Sequence, residues 1–193
     1  MQIETEPTPN PETLKFLPGQ SVTGTSGPYD FAAFEEAGIS PLARALFKVT
    51  GVTRVFLGSD FITLTKQADS DWSHVRPMAM AAIMDHFMAG FPVIESHSTA
   101  TEEVGGSADD YDGEAAEIVS EIIELIETRV RPAVAQDGGD IVFHRFEEET
   151  GVVHLAMRGA CAGCPSSTYT LKQGIENMLR AYVPEVTSVE AAL

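Results

Sequence analysis

The two cysteines of this chain, Cys161 and Cys164, stand three positions apart and are the only thiols among its 193 residues. Any disulfide, thiolate metal site or thiol catalysis is therefore confined to one short segment. Two thiolates suffice for a redox-active disulfide, but they are half of the four that a tetrahedral zinc site or an iron–sulfur cluster uses. The pair thus leaves open whether one chain completes the site or a second copy is required.

The residues around the cysteine pair predict a strand, a tight loop and a helix, in that order. The alternation of apolar and polar residues indicates two strands of a hairpin at 141–146 and 152–157. The loop residues beside the cysteines are small, and Pro165 suits the first turn of a following helix. Because helix N-termini favour negative charge, we expect this one to lower the pKa of both thiols. The apolar stripe predicted for the helix comprises Leu171, Ile175, Met178, Leu179 and Tyr182.

A long amphipathic helix is predicted before the hairpin. Its apolar residues recur every four positions between Ile118 and Val134, and glutamates occupy the other side. Pro132 is expected to bend or end this helix. With a last edge strand expected at 186–189, the C-terminal segment has the predicted order α-β-β-α-β.

The N-terminal half mixes helices and strands and contains no cysteine, so it cannot supply thiolate ligands. One helix should begin with Ser40 as its N-cap and Pro41 in its first turn. A second should begin in earnest at Pro77 and end at Gly90, and its four methionines are expected to pack in the core. The strands are predicted at 13–17, 52–57 and 61–66, and the methionines are Met78, Met80, Met84 and Met88.

An acidic segment at 96–113 separates the two halves. It holds five acidic residues and no lysine or arginine, with almost nothing apolar to bury, which favours a flexible, self-repelling linker. The expected organisation is therefore an N-terminal domain at 1–95, the linker, and a C-terminal domain at 114–193. The fold class is mixed α/β (α+β) with two small domains.

The formal net charge of −17 disfavours nucleic acids and anionic membranes as partners, because no basic patch can neutralise phosphates. No run of residues approaches the about 18 apolar positions of a membrane span. The N-terminus is acidic and has neither a secretory signal nor an Arg-rich transit peptide. We therefore expect a cytoplasmic protein, or a mature form from which a presequence has been removed.

Two motifs of the C-terminal half resemble those of a known family. Asp137-Gly138-Gly139-Asp140, followed by the hairpin and by Gly159-Ala160-Cys161-Ala162-Gly163-Cys164-Pro165-Ser166-Ser167, is similar to the C-terminal domain of NifU, the Nfu module of iron–sulfur cluster carriers. The segment from Thr8 to Phe16, with Asp71-Trp72 and Ala81-Ala82-Ile83-Met84, resembles the N-terminal domain that accompanies this module. The resemblance covers both halves and omits only the acidic linker.

This resemblance implies a function and a set of ligands. In Nfu proteins the Cys-x-x-Cys motifs of two chains together bind one [4Fe–4S] cluster and hand it to apo-proteins. It therefore implies Cys161 and Cys164 as cluster ligands, a homodimer when the cluster is bound, and apo iron–sulfur clients and upstream assembly proteins as partners. It implies a carrier rather than an enzyme. The cysteine-free N-terminal domain would be a partner-interaction module.

Other interpretations of the cysteine pair stay open. Four thiolates from two chains also suit zinc or a [2Fe–2S] cluster, and the spacing alone cannot separate these sites. A dithiol–disulfide oxidoreductase is the competing enzyme, and two ordinary buried cysteines are the plainest alternative. Asp137 and Asp140 are expected to cap and turn the chain rather than to bind metal. Arg158 is expected either to offset the charge of a bound cluster or to be solvated.

Overall fold

The computed structural model describes residues 2–95, 106–162 and 165–192. The chain forms two compact units, Met1–Thr101 and Glu102–Leu193. Among the helices of the described residues, none is both long and apolar enough to cross a membrane.

The first unit is a five-stranded antiparallel sheet with helices packed against it. Along the sheet the strands follow the order β1-β2-β5-β4-β3, and a 3-10 helix precedes the first α-helix. The predicted strands and helices of this half are present, except that the second helix starts earlier than predicted, and two short strands, β1 and β3, were not predicted. The bounds are β1 Glu4–Pro7, β2 Thr13–Leu17, β3 Tyr29–Phe31, the 3-10 helix Phe34–Ile39, α1 Pro41–Phe47, β4 Val52–Leu57, β5 Ile62–Lys66 and α2 Trp72–Ala89.

The two α-helices of this unit differ in how well their starts were predicted. Helix α1 begins as expected, with the Oγ of Ser40 accepting a hydrogen bond from the amide of Ala43 at 3.1 Å. Helix α2 begins at Trp72, capped by Asp71, and not at Pro77 as predicted. Pro77 lies within the helix and is exposed, so water can reach the carbonyl that loses its N–H partner.

The prediction that all four methionines of α2 pack in the core is correct for two of them. Met80 and Met84 are partly buried and pack against the core. Met78 and Met88 are 62% and 75% exposed and contribute little to it. The buried face of α2 is formed instead by smaller and branched residues, with Val75, Ala79, Ile83 and His86 buried.

We expect the first unit to lose stability as the pH falls, because His86 is buried as a neutral imidazole. It is 5% exposed, and its Nε2 has no hydrogen-bond partner among the described residues. Burial lowers the pKa of His86, and a hydrogen bond to the Phe91 carbonyl only partly opposes this. An unfolded histidine takes up its proton near a pKa of about 6.5, so the unfolded chain binds more protons below that pH. The contribution of neutral His86 to the free energy of unfolding is therefore complete above a pH of about 6.5. It is lost as the pH falls from there towards the lower pKa of His86 in the folded protein.

Urea unfolding followed by tryptophan fluorescence tests this expectation, because Trp72 is the only tryptophan and lies in the first unit. Lowering the pH from about 7.5 to about 5.5, across the titration range of histidine, should lower the urea midpoint. In His86→Leu the decrease should be smaller. An equal decrease in both proteins would assign the effect to other groups.

The second unit contains a three-stranded sheet and the predicted element order α-β-β-α-β. Strands β6 and β7 are antiparallel, and β8 lies beside β7 as a parallel edge strand. The mixed α/β class and the element order are thus confirmed. The bounds are α3 Gly113–Leu125, a π-helical segment Ile126–Val130, α4 Arg131–Gln136, β6 Gly139–Glu147, β7 Val152–Gly159, α5 Pro165–Tyr182 and β8 Ser188–Ala191.

The long amphipathic helix does not end at Pro132. Its course continues through the π-helical segment into α4 and reaches Gln136. The wider π turn lies directly before Pro132, where the missing N–H and the proline ring are incompatible with a regular α-turn. The apolar stripe is buried as predicted at Ile122, Ile126, Val130 and Val134.

The C-terminal part of the predicted linker makes contacts with β6. The amide of Gly106 donates to the carbonyl of Phe143 at 3.1 Å. The hydroxyl of Tyr111 accepts from the amide of Phe146 at 2.8 Å and donates to its carbonyl at 3.2 Å. Tyr111 also packs against the core of this unit, and this apolar anchor was overlooked among the acidic residues. The remainder of the predicted linker, 96–105, lies outside the described residues.

Candidate functional site

Cys161 lies in a turn that follows the last residue of β7, Gly159. The amide of Cys161 donates to the carbonyl of Arg158 at 3.3 Å, and the amide of Ala162 donates to that of Gly159 at 3.1 Å. The amide of Ala160 donates to the carbonyl of Gly138 at 3.1 Å. The cysteine turn is therefore attached directly to the corner between α4 and β6.

Two glycines allow this corner to approach the cysteine. Gly138 has a φ of 78°, which suits the left-handed residue that follows a helix. Gly139 pairs with Gly159 across the hairpin. A Cβ on Gly139 would overlap the Sγ of Cys161 and would lie 3.0 Å from its amide nitrogen. The Gly138-Gly139 pair and the cysteine turn are thus one structural unit, in which the missing side chain makes room for the thiol.

An ion pair holds the far side of the same corner. The guanidinium of Arg131 forks onto Asp140, with Nε to Oδ1 at 2.8 Å and Nη2 to Oδ2 at 3.1 Å. Its remaining nitrogen contacts both oxygens of Glu127 at 2.8 and 2.9 Å. The side chain of Asp140 is only 7% exposed, whereas that of Glu127 is 49% exposed. Asp140 was expected to cap a turn, but here it fastens the start of β6 to α4 through Arg131.

Replacing Arg131 by methionine should destabilise the second unit by about 2–4 kcal/mol, because it leaves the Asp140 carboxylate buried without its counter-charge. Glu127→Gln is the matched control, since it removes an exposed partner of the same guanidinium and should cost less than about 1 kcal/mol. Calorimetry measures this effect as a shift of the unfolding transition of the second unit. Tryptophan fluorescence does not report this transition, because Trp72 lies in the first unit. Equal effects of both variants would show that burial of Asp140 contributes nothing.

The expectation that helix α5 lowers the pKa of the cysteine thiol is wrong for Cys161. Burial, followed by the negative charges of Asp137 and Asp140, raises the pKa of Cys161 to about 12. The residue is 7% exposed, and it lies four positions before the start of α5 at Pro165. Desolvation and two carboxylates therefore outweigh the end of the helix. Cys164 lies outside the described residues.

The other polar residues near the cysteine turn or on the strand that leads to it have structural roles, or no role that the structure shows. Asp137 is the C-terminal cap residue of α4, and its charge reaches the thiol of Cys161. The Nε2 of His154, on β7, lies 3.1 Å from a carboxylate oxygen of Glu147. Arg158 is partly exposed and belongs to no ion pair among the described residues. Within the same residues, no group of three or more His, Cys, Asp and Glu side chains is arranged to hold a metal ion.

From the sequence, Gly139 was named only as part of a turn and of the family motif, and Arg131 was given no role. Arg131 had no signal other than its spacing from Asp140. The repeated glycine in Asp137-Gly138-Gly139-Asp140 was the available clue. A turn of this kind needs one glycine for a positive φ, and Gly138 has that conformation. The second glycine, Gly139, has a different reason, which is the close approach of another group.

Family models match both halves of the chain. Residues 3–90 match the family model described as the N terminal of scaffold protein Nfu/NifU. Residues 122–190 match the model of the NifU-like domain. A solution structure of a NifU-like protein from Saccharomyces cerevisiae covers 50% of this chain and 87% of its own, with 27% identity and a TM-score of 0.45.

Curated relatives match nearly the whole chain. The "NFU1 iron-sulfur cluster scaffold homolog, mitochondrial" of Drosophila persimilis is 50% identical over 191 residues, which are 98% of this chain and 64% of that protein. The protein of the same name from Drosophila willistoni is 49% identical over 98% of this chain and 63% of its own length. The chain thus spans less than two thirds of the length of these relatives. Their names contradict the cytoplasmic location expected from the N-terminus and point to mitochondria. The chain belongs to the Nfu family, with an Nfu N-terminal domain followed by a NifU-like domain.

Proposed function

We propose that this protein is an iron–sulfur cluster carrier that holds a [4Fe–4S] cluster between Cys161 and Cys164 of two chains and transfers it to apo-proteins. The observation that carries the proposal is the position of Cys161. It lies in a tight turn at the end of β7, three residues before the only other thiol of the chain. The relatives named as iron–sulfur cluster scaffolds support the nature of the cargo.

The ligand count favours a symmetric dimer. A [4Fe–4S] cluster takes four thiolates, and each chain has two cysteines. A twofold axis beside the cysteine turn would bring two equivalent pairs to one cluster. Thiolates rather than thiols bind iron, so loading the cluster releases protons from the cysteines.

A cluster held between subunits suits transfer. Its ligands belong to two chains, so an incoming client can replace them in steps, one thiolate at a time. Neither unit carries a second set of cysteines on which a cluster could be assembled, which favours carriage over synthesis. The cysteine-free first unit supplies no cluster ligand, and we assign it the recognition of partner proteins. No catalytic step is part of this function.

Anaerobic reconstitution with iron and sulfide, followed by metal and sulfide analysis and native mass spectrometry of the same sample, tests the proposal. A dimer with about two irons and two sulfides per chain is expected for one bridging four-iron cluster. About one of each per chain would indicate a [2Fe–2S] cluster instead. A dimer that retains zinc and excludes iron would replace the cargo by a structural metal. A monomer that takes up no metal and cycles between dithiol and disulfide would overturn the proposal in favour of redox chemistry.

A further inference from the structure

The first unit, which contains no cysteine, carries a surface groove. It has a volume of about 700 Å³ and runs between the C-terminal turn of α1 and the exposed side of α2. Its floor is apolar and consists of small or flexible side chains, namely Ala45, Val49, Val75, Met78 and Ala82. The volume falls within the range of about 300–1,000 Å³ that is typical of binding pockets.

Met78 is the feature of this groove that packing within the chain does not explain. It is 62% exposed, although a large apolar side chain gains free energy by burial. Its neighbours in the groove include Ala45, Ala81 and Ala82. Because alanines leave space above the backbone, another chain can approach closely, and the flexible thioether can adapt to what it meets.

The charges around the groove indicate what binds there. Asp69 and Asp71 lie at one end, and Asp85 lies further along α2. Lys48 is the only lysine or arginine among the described residues that line it. An acidic rim disfavours phosphates, lipid headgroups and other anions. It also disfavours a second copy of this chain, whose net charge is −17.

We propose that this groove binds an amphipathic, basic helix of a partner protein. An apolar stripe on that helix would cover Met78 and the alanines, while flanking lysines or arginines would face the aspartates. The carboxylates of Asp71 and Asp85 are fourteen residues apart along α2, or about 21 Å of helix. A partner helix of about four turns matches this length.

The proposal deepens the partner-recognition role assigned above to the first unit. Its test does not involve the cluster, so failure of one proposal is distinguishable from failure of the other. The probe is a synthetic peptide of about 16 residues with leucines at positions i, i+3, i+4 and i+7 and lysines elsewhere, long enough to cover the groove as a helix. It is titrated into the intact, isotope-labelled protein, and amide chemical shifts are followed. Saturable shifts should be confined to residues 45–50 and 69–85.

Matched variants separate the groove from general attraction to an acidic surface. Met78→Gln should weaken binding about tenfold through lost apolar contact, whereas Met88→Gln should leave it unchanged. Met88 is the more exposed of the two methionines and lies on the same helix outside the groove. Asp69→Asn with Asp85→Asn should weaken binding by at least about fivefold. Glu35→Gln with Asp60→Asn removes two other exposed charges of the first unit and should have less than about a twofold effect.

Any of four results would overturn the proposal. Equal weakening by the two double charge variants would show non-specific attraction to an acidic surface. Equal weakening by the two methionine variants would show that Met78 makes no specific contact with the peptide. Shifts spread over the acidic surface, or no saturable binding at about millimolar peptide, would show that the groove does not bind a basic helix.

Discussion

Replacing Cys161 by serine is expected to abolish cluster binding, and Cys164→Ser should do the same. A serine hydroxyl stays protonated at neutral pH and is a poor ligand for iron, so each variant reduces the bridging site from four thiolates to two. Reconstituted variants should contain less than about a tenth of the iron and sulfide of the parent, and iron should no longer produce a dimer in native mass spectrometry. Because either substitution removes one thiolate from each chain of the proposed dimer, the two losses should be of the same size.

Ala162→Ser is the control for this experiment. It places a hydroxyl in the same turn, at a partly exposed position, and leaves both thiols in place. Full reconstitution of the control with loss in both cysteine variants would tie the effect to the thiols. A cysteine variant that still held about two irons and two sulfides per chain would defeat the ligand assignment.

Mixed dimers extend the test to the shared character of the site. A dimer of one parent chain and one Cys161→Ser chain offers three thiolates, and a cluster held in this way should be lost to a competing thiol faster than one held by four. A monomeric site would behave differently, because the parent chain of the mixture would keep its own cluster unchanged. The rate at which iron is released thus distinguishes a bridging site from a site within one chain.

The parts of the fold that depend on neighbours in sequence were predicted well. The cap of α1 needs only Ser40, Pro41 and the following turn, and all three are adjacent. The alternation that predicted β6 and β7 is likewise local. Pro77 misled because a proline can begin a helix or lie within one, and the choice depends on whether Asp71 caps the chain earlier and on whether the proline is exposed.

The site was predicted less well because its properties arise from contacts between distant segments. The sequence places Cys161 before a helix, which suggested a thiolate. The structure buries the same residue against Gly139 and near Asp137 and Asp140, and the pKa of the thiol rises accordingly. Tyr111 shows the same limit, since only its hydrogen bonds to Phe146 reveal that part of the acidic segment contacts β6. Local composition gives no information about either contact.

The contact between Gly139 and Cys161 leads to the second large effect, which concerns the shape of the site rather than its ligands. In Gly139→Ala the new Cβ would overlap the Sγ of Cys161 and would lie 3.2 Å from the carbonyl oxygen of Arg158. Overpacking of this kind costs about 1–3 kcal/mol and displaces the side chain that can move. The thiol should move, because the backbone of the turn is held by the hairpin. We expect cluster occupancy after reconstitution to fall at least about tenfold, since ligation tolerates little displacement.

Gly174→Ala provides the matched control, because it adds the same methyl group within α5 where nothing lies within 4 Å. That variant should bind the cluster fully and gain about 0.5–1 kcal/mol from the higher helix propensity of alanine. A double-mutant cycle then separates displacement of the thiol from general damage. In a Cys161→Ala background the overlap with Sγ is gone, so Gly139→Ala should destabilise the second unit by about 1 kcal/mol less than in the parent. Without such coupling, the absence of a side chain at Gly139 would serve the backbone of the corner and not the position of the cysteine.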